Sequence, residues 1–437
     1  MEKQKVIIMG AGGRDMHNFT TYYRNHPGYE VVAFTATQVP FLAGRDVPPE
    51  VAGLNYPNGI HIYDDSELED LLKKYKVDEI NYAILDVPHG GVMHQACRVA
   101  ILGPKFTLLG ADATMIKSNK PVIAVNAVRT GCGKSPVSRR VVKVLQEMGK
   151  KVVVFKHPNP YGDLADQAFQ RFEVMEDLER HHCVVEEREE YEPHLANGVI
   201  VYTGIETEKI LRAAEQEADV IVWDGGNNDL PFIIPTVHIV VTDPHRAGHE
   251  ARYWPGEAGL RRADVIVINK VDTGNYSDIT TSRSNVKTYT PDATIIETAA
   301  PIYATDPDSI RGKRVLVIED GPTLTHGDMA FGAGTIAAER FGASEIVDPR
   351  PYATGTIADT FKKYPHIGKL LPAMGYSDVQ REELAKTINS TPCDMVVVAT
   401  PIDLTRVVPI QHPVQRVRYE SEEIGRPNFK DVFSRAL

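Results

Sequence analysis

Short runs of β-branched and aliphatic residues, each closed by a polar or glycine-bearing turn, recur along the chain: VIIM at 6–9, VVAF at 31–34, VIAV at 122–125, VVVF at 152–155, VIVW at 220–223, VIVI at 265–268, VLVI at 315–318 and MVVVA at 395–399. They lack the alternation of apolar and polar residues that marks a strand with one wet face. This predicts strands buried on both sides in parallel sheets. Between them, residues 66–75, 134–149, 163–182, 332–343 and 377–389 carry helical patterning, so the fold class is α/β. Polar residues at 118–120 separate two strand patterns. The expected division is a Rossmann-like α/β domain over 1–118 and a larger domain over 119–437, whose C-terminal third is read as an extension of it.

The larger domain opens on PVIAVNAVRTGCGKSPVSRR, a buried strand running into a glycine-pinched turn, a lysine and a hydroxyl. Gly131 and Gly133 let the backbone curl so that successive N–H groups face an anion. Cys132 and Pro136 complete the nucleotide-binding loop, Lys134 reaches the β- and γ-phosphates, and Ser135 offers a hydroxyl to Mg²⁺. Glycine is missing at Val128, where the strict P-loop pattern wants it; the loop resembles the longer one of dethiobiotin synthetase and its P-loop relatives. The fold expected is therefore a P-loop NTPase three-layer sandwich. DVIVWDGG ends in Asp224, where a Walker-B carboxylate would join Ser135 around the metal, and DVIVINKVD ends in Asn269 and Asp272. That N-K-x-D pattern reads guanine in GTPases, while Asp272 reads also as a helix N-cap. Arg129 occupies the position at which the deviant loops of the nitrogenase iron protein group carry a lysine that reaches across a dimer, which implies a catalytic charge.

Composition narrows what surrounds this core. The chain has 437 residues and a formal net charge of -11, so no nucleic-acid partner is expected from bulk electrostatics. Its four cysteines lack C-x-x-C spacing, which predicts reduced thiols, with Cys132 a small filler in the phosphate loop. No apolar run approaches the roughly 18 residues of a membrane span, and residues 1–10 enter a strand at once. A cytoplasmic enzyme without membrane contact is expected.

Candidate ligand groups stand at strand ends. In the N-terminal domain GAGGRDMH offers Arg14 and His17 beside glycine N–H groups, for a phosphate or carboxylate, or as a plain tight turn. No acid follows the second strand to hold a ribose hydroxyl, so the loop does not read as a dinucleotide site. Lys156 and His157 follow VVVF, where the crevice of a parallel sheet would present them to a transferring phosphoryl group. Arg246 and Arg252 could clamp a polyanion, or pair with nearby glutamates. His326, in THGDM, could carry a proton. The acidic run at 186–192 reads as a solvated face, with a metal or substrate role for one of its glutamates as the alternative.

In order, GAGGRDMHNF, EVVAFTATQVP, GCGKSPVSR, KHPNPYGDL, EEREEYEPH, DGGNNDLPF, TDPHRAGHE, NKVD and EDGPTLTHGDM resemble the family of cyclic 2,3-diphosphoglycerate synthetase and its relatives described as predicted GTPases, over nearly the whole chain. That resemblance implies a homodimeric, ATP- and Mg²⁺-dependent ligase. One phosphate of a small phosphorylated acid, 2,3-diphosphoglycerate, is activated and the other closes a phosphoanhydride ring. Lys134, Lys156 and Asp224 are then catalytic with Arg129, and Arg14, His17, His157, Arg246, Arg252 and His326 face the substrate. N-K-x-D keeps GTP open beside ATP, and with it a second function class, a regulatory or chaperone-type GTPase.

Overall fold

The computed structural model describes residues 2–10, 12–37, 42–158, 161–226, 228–325, 327–375 and 377–437. Its centre is a nine-stranded sheet. Val122–Ala127, the strand before the phosphate loop, lies between Val220–Asp224 and Val237–Thr242, parallel to both. Val152–Lys156 and Ile200–Thr203 extend the sheet in parallel on one side, Val265–Ile268 and Thr294–Ala299 on the other. Short antiparallel strands, Gln170–Phe172 and Glu422–Glu423, close its two edges. The continuous Val/Ile runs are explained by cover on both faces: one apolar cluster contains Val125, Val154 and Val222, the other Ala124, Val153 and Trp223. Because all seven long strands point the same way, Lys156, Asp224 and the loop after Ala127 emerge at one edge of the sheet, where such folds place ligands.

The N-terminal sheet has six strands in the order Asp46–Val47, Ile60–Asp64, Tyr29–Ala36, Gln4–Met9, Glu79–Tyr82, Lys105–Thr107, parallel except for the first. It is tied to the central sheet by the buried Arg14–Asp229 ion pair (2.8 Å) and by a two-stranded ribbon of Val87–Pro88 with Tyr253–Trp254.

The C-terminal third does not continue the central sheet. Arg314–Asp320 pairs with Met395–Ala399, and Val414–Tyr419, Ile302–Ala304, Glu345–Ile346 and Leu371–Ala373 complete a separate sheet around its own apolar cluster. Each of its central strands is as apolar as those of the central sheet, so nothing local distinguishes which sheet it joins. The last helix, Phe429–Ala436, returns to the central domain, where Phe429 and Phe433 are buried in its core.

Residues 163–182 are not a helix. A helix forms only at Glu176–Arg180, where Asp177 accepts hydrogen bonds from the N–H groups of Glu173 (2.8 Å) and Val174 (3.1 Å), and Gln170–Phe172 edges the sheet. Among the described residues, no helix is long and apolar enough to cross a membrane.

Candidate active site

A cavity of about 320 Å³ opens where the three sheets meet, lined from the N-terminal domain by Gly13, the phosphate loop by Lys134 and the C-terminal sheet by Asp320. The helix Lys134–Glu147 begins directly at the loop. Gly133 has φ +90°, and a Cβ there would lie 2.1 Å from Asn269 Nδ2. Glycine is thus required twice over: for the turn, and for the side chain that braces it. Asn269 donates to Cys132 O (3.0 Å) and accepts from Thr298 Oγ1 (2.8 Å), and Lys270 Nζ donates to Gly131 O (2.6 Å) and Asp243 (2.8 Å). Two side chains of the N-K-x-D segment therefore hold the phosphate loop. Asp272 is exposed and accepts the Ala300 N–H (2.8 Å).

Beneath the loop, Asp224 is shared. Lys134 Nζ donates to Oδ1 (2.5 Å), Lys156 Nζ to Oδ2 (3.0 Å), and His194 Nε2 lies 3.2 Å from Oδ2. Lys156 also pairs with Glu190. Burial works to raise the Asp224 carboxyl, but the two ammonium groups overcome it and hold it well below the usual range. Burial, ahead of any gain from Asp224, pulls the His194 imidazole down, so it stands neutral. Two buried ammonium groups thus share one carboxylate. Ser135 lines the same cavity, and among the described residues no group of three or more His, Cys, Asp or Glu side chains could hold a metal by itself. One carboxylate and one hydroxyl fit Mg²⁺ delivered on nucleotide phosphates, which keeps most of its waters.

Several residues expected at the substrate are committed elsewhere. Arg14 lines the cavity, but its Nε is on Asp229 and its two terminal nitrogens on Thr114 and Leu230, which makes it a latch between domains. The N–H groups of Gly12 and Gly13 are capped by Asp15 (2.5 Å each), so this chain's own carboxylate fills the proposed anion nest. His17 is buried, stacked on Phe232 at 3.7 Å and bonded to Thr114 O and Thr207; burial drives its imidazole well below its usual range. Arg246 donates to Thr130 O (2.8 Å) and Gly327 O (2.6 Å), bracing the loop. Arg252 is exposed and outside the cavity. His157 does line the cavity: its Nε2 lies 3.0 Å from Asp229, and its ring fills the space that a Cβ on Gly13 would need, 2.3 Å away. His326 lies outside the described residues.

Arg129 is not free to cross a dimer. It is 2% exposed, with Nε on Asp86 (3.0 Å), a terminal nitrogen on Asp328 (3.1 Å) and the guanidinium 3.7 Å over the Tyr253 ring. Asp86 also accepts the Thr130 N–H (3.2 Å), so the N-terminal domain grips the start of the phosphate loop. Cys132 is buried filler, its thiol pushed up to about 11 by burial.

The acidic run is not a solvated face. Glu186, Glu187 and Glu189 are buried on the helix Val185–Leu195, and Glu186, Glu189 and Glu190 line the cavity together with Glu319 and Asp320 of the C-terminal sheet. Burial raises Glu186 and Glu319 to about 7 each, with Asp320 adding repulsion to both. A carboxyl whose folded pKa lies above its unfolded value contributes stability present below the unfolded pKa and lost as pH rises through the folded one. Glu319→Gln is therefore expected to be more stable than the parent at pH 8, by on the order of 2 kcal/mol, with the difference gone at pH 4. Urea unfolding at both pH values checks this; a difference independent of pH would refute it.

No family model matches the sequence. Among solved structures, LpxK from Aquifex aeolicus in complex with ATP is 13% identical with a TM-score of 0.46, over 84% of this chain and 99% of that one. A UDP-N-acetylmuramate:L-alanyl-gamma-D-glutamyl-meso-diaminopimelate ligase from Neisseria meningitides is 11% identical with a TM-score of 0.27, over 68% and 81%. At these scores neither defines the fold, which rests on the strand orders above. The sequence comparison is of another kind: the arginine synthetase ArcE of Thermococcus kodakarensis is 56% identical over 431 residues, 99% of this chain and 96% of the relative. With that identity across both whole lengths, this chain belongs to the family of arginine synthetase ArcE.

Proposed function

We infer that this chain is an ATP-driven synthetase whose product is arginine. The observation that carries the reading is the pair of buried lysines, Lys134 and Lys156, held on one carboxylate, Asp224, at the phosphate-loop end of a cavity lined by all three sheets. Such a site can receive a triphosphate and stabilise the charge of a transferring phosphoryl group. The name of the relative supplies the product.

The chemistry then follows from the product. A guanidino group differs from a ureido group by nitrogen in place of oxygen, and that oxygen leaves readily only once phosphorylated. The ureido oxygen attacks the γ-phosphorus and ADP departs. An amine nitrogen then adds to the carbon, and inorganic phosphate leaves as the C–O bond breaks. Lys134 and Lys156 would orient the phosphates. Mg²⁺, with Asp224 and Ser135, would add positive charge against the phosphate oxygens.

ATP is favoured over GTP because Asp272, the guanine-reading carboxylate of the N-K-x-D pattern, does not line the cavity and accepts the Ala300 N–H instead. A cyclising reaction on 2,3-diphosphoglycerate needs a strongly cationic pocket. Arg14 and Arg246 are bound to this chain's own acceptors, Arg252 lies outside, and the cations that line the cavity share it with Glu186, Glu189, Glu190, Glu319 and Asp320.

The test incubates the protein with Mg²⁺ and ATP or GTP, adding either citrulline with ammonium or 2,3-diphosphoglycerate, and follows phosphate and arginine. Phosphate release with stoichiometric arginine is the expected result. Release stimulated by 2,3-diphosphoglycerate, or GTP hydrolysis indifferent to both additions, would overturn the reading.

A further inference from the structure

The carboxyl-lined wall has two oxygens without partners. Glu186 accepts the Gly375 N–H through Oε1 (2.9 Å), while its Oε2 is buried and unpaired; Glu189 Oε1 is likewise buried and unpaired. Each residue is only 5% exposed and lines the cavity. A buried acceptor left bare costs roughly 1–3 kcal/mol, so two of them on one wall ask for a donor. Asp320, Glu319 and Glu190 crowd the same wall, and Lys156 reaches Glu190. The wall is therefore richer in carboxyl groups than in cations to answer them. Tyr161 and Tyr419 also line it, and their hydroxyls are driven up by burial and then by these same acids, which puts both phenols beside them.

The structure assigns to Glu186 and Glu189, with Asp320 and the two tyrosines, a binding seat for a nitrogen cation, in the same cavity as Lys134 and Lys156. Its ligand chemistry is a group carrying several N–H donors and one positive charge. A guanidinium, with five donors in a planar fork and a face that stacks on aromatic rings, is one source; an ammonium ion is the other. This rests on the synthetase reading above and adds to it the residues that hold the nitrogen end of a reactant or product.

Binding can test the seat without turnover. Calorimetric titration of the full chain, loaded with a non-hydrolysable ATP analogue, uses arginine, its neutral ureido counterpart citrulline, and ammonium chloride as competitor. Arginine is expected to bind the parent protein, and E186Q and E189Q to weaken it tenfold or more while moving citrulline and the ATP analogue less than twofold. E187Q serves as control, because Glu187 is buried on Gln167 and Val184 and does not line the cavity. Competition by ammonium that disappears in E186Q supports the seat with ammonium as its source; arginine binding without such competition supports it with guanidinium. Arginine affinity unchanged in both variants overturns the proposal, as does Mg²⁺ binding that is lost in both variants and indifferent to arginine. Carboxyl-dependent arginine binding in a protein that forms no arginine from citrulline would leave the seat standing and remove the synthetase reading alone.

Discussion

Asp224→Asn is expected to abolish turnover, by about 10³-fold or more, and at the same time to make nucleotide binding tighter. The two effects have one cause. Asp224 pairs with both Lys134 and Lys156, each buried to within a few per cent of complete exclusion from solvent. The amide keeps the shape but leaves two ammonium groups facing one residual anion, Glu190, and breaking a buried pair in this way costs about 3–5 kcal/mol. A triphosphate restores the missing charge, so the variant gains more from nucleotide than the parent does. Denaturant unfolding with and without an ATP analogue measures this directly. The expected pattern is a large loss of stability without nucleotide and a disproportionate rescue with it. A variant as stable as the parent in both conditions would mean that Asp224 does not balance the lysines, and the phosphate-transfer centre would have to be sought elsewhere.

How much of this was legible beforehand depends on the range of the interactions involved. The buried parallel strands and the phosphate loop are local patterns, and the sequence carries them openly: a Val/Ile run, two glycines with positive φ at 131 and 133, and the lysine that opens the helix. The pairing of Lys134 and Lys156 on Asp224 follows from strand order, because Val152–Lys156 and Val220–Asp224 are neighbours and end at the same level. The acidic wall is different. Glu186 and Glu189 sit on a helix with no apolar stripe to say which side is buried; their surroundings include Gly375 and Asp320, more than a hundred residues away. A signal was present in that a helix so poor in apolar residues contains Tyr191 and Pro193 amid its charges, which is unusual for a face turned to water. The contacts of Arg14, His17 and Arg246 were illegible for a similar reason: their partners, Asp229, Phe232 and the Thr130 carbonyl, come from other parts of the chain. The sequence shows a charge or a ring at a strand end, and only the packing shows whether it is already answered.

Arg129→Ala brings that distinction to a measurement. Were this arginine a catalytic charge supplied across a dimer, its loss would cut turnover by about 10³ and spare the fold. Its observed surroundings predict the reverse order of effects. The guanidinium joins Asp86 of the N-terminal domain, Asp328 of the C-terminal segment and the Tyr253 ring, and Asp86 in turn holds the Thr130 N–H at the mouth of the phosphate loop. Truncation leaves Asp86, whose side chain is 9% exposed, without its cation, so a stability loss of about 3–5 kcal/mol is expected, with weaker nucleotide binding as the loop loses its anchor. Lysine at this position keeps the charge but cannot fork or stack, and should recover only part of the loss. If the arrangement is a clamp, Asp86→Asn and Arg129→Ala are not additive: the double variant should be more stable than the sum of the single losses predicts, because neither leaves the other unpaired. Additive losses would place the two residues in separate roles, and a fully stable Arg129→Ala with turnover reduced about 10³-fold would return this arginine to the chemistry.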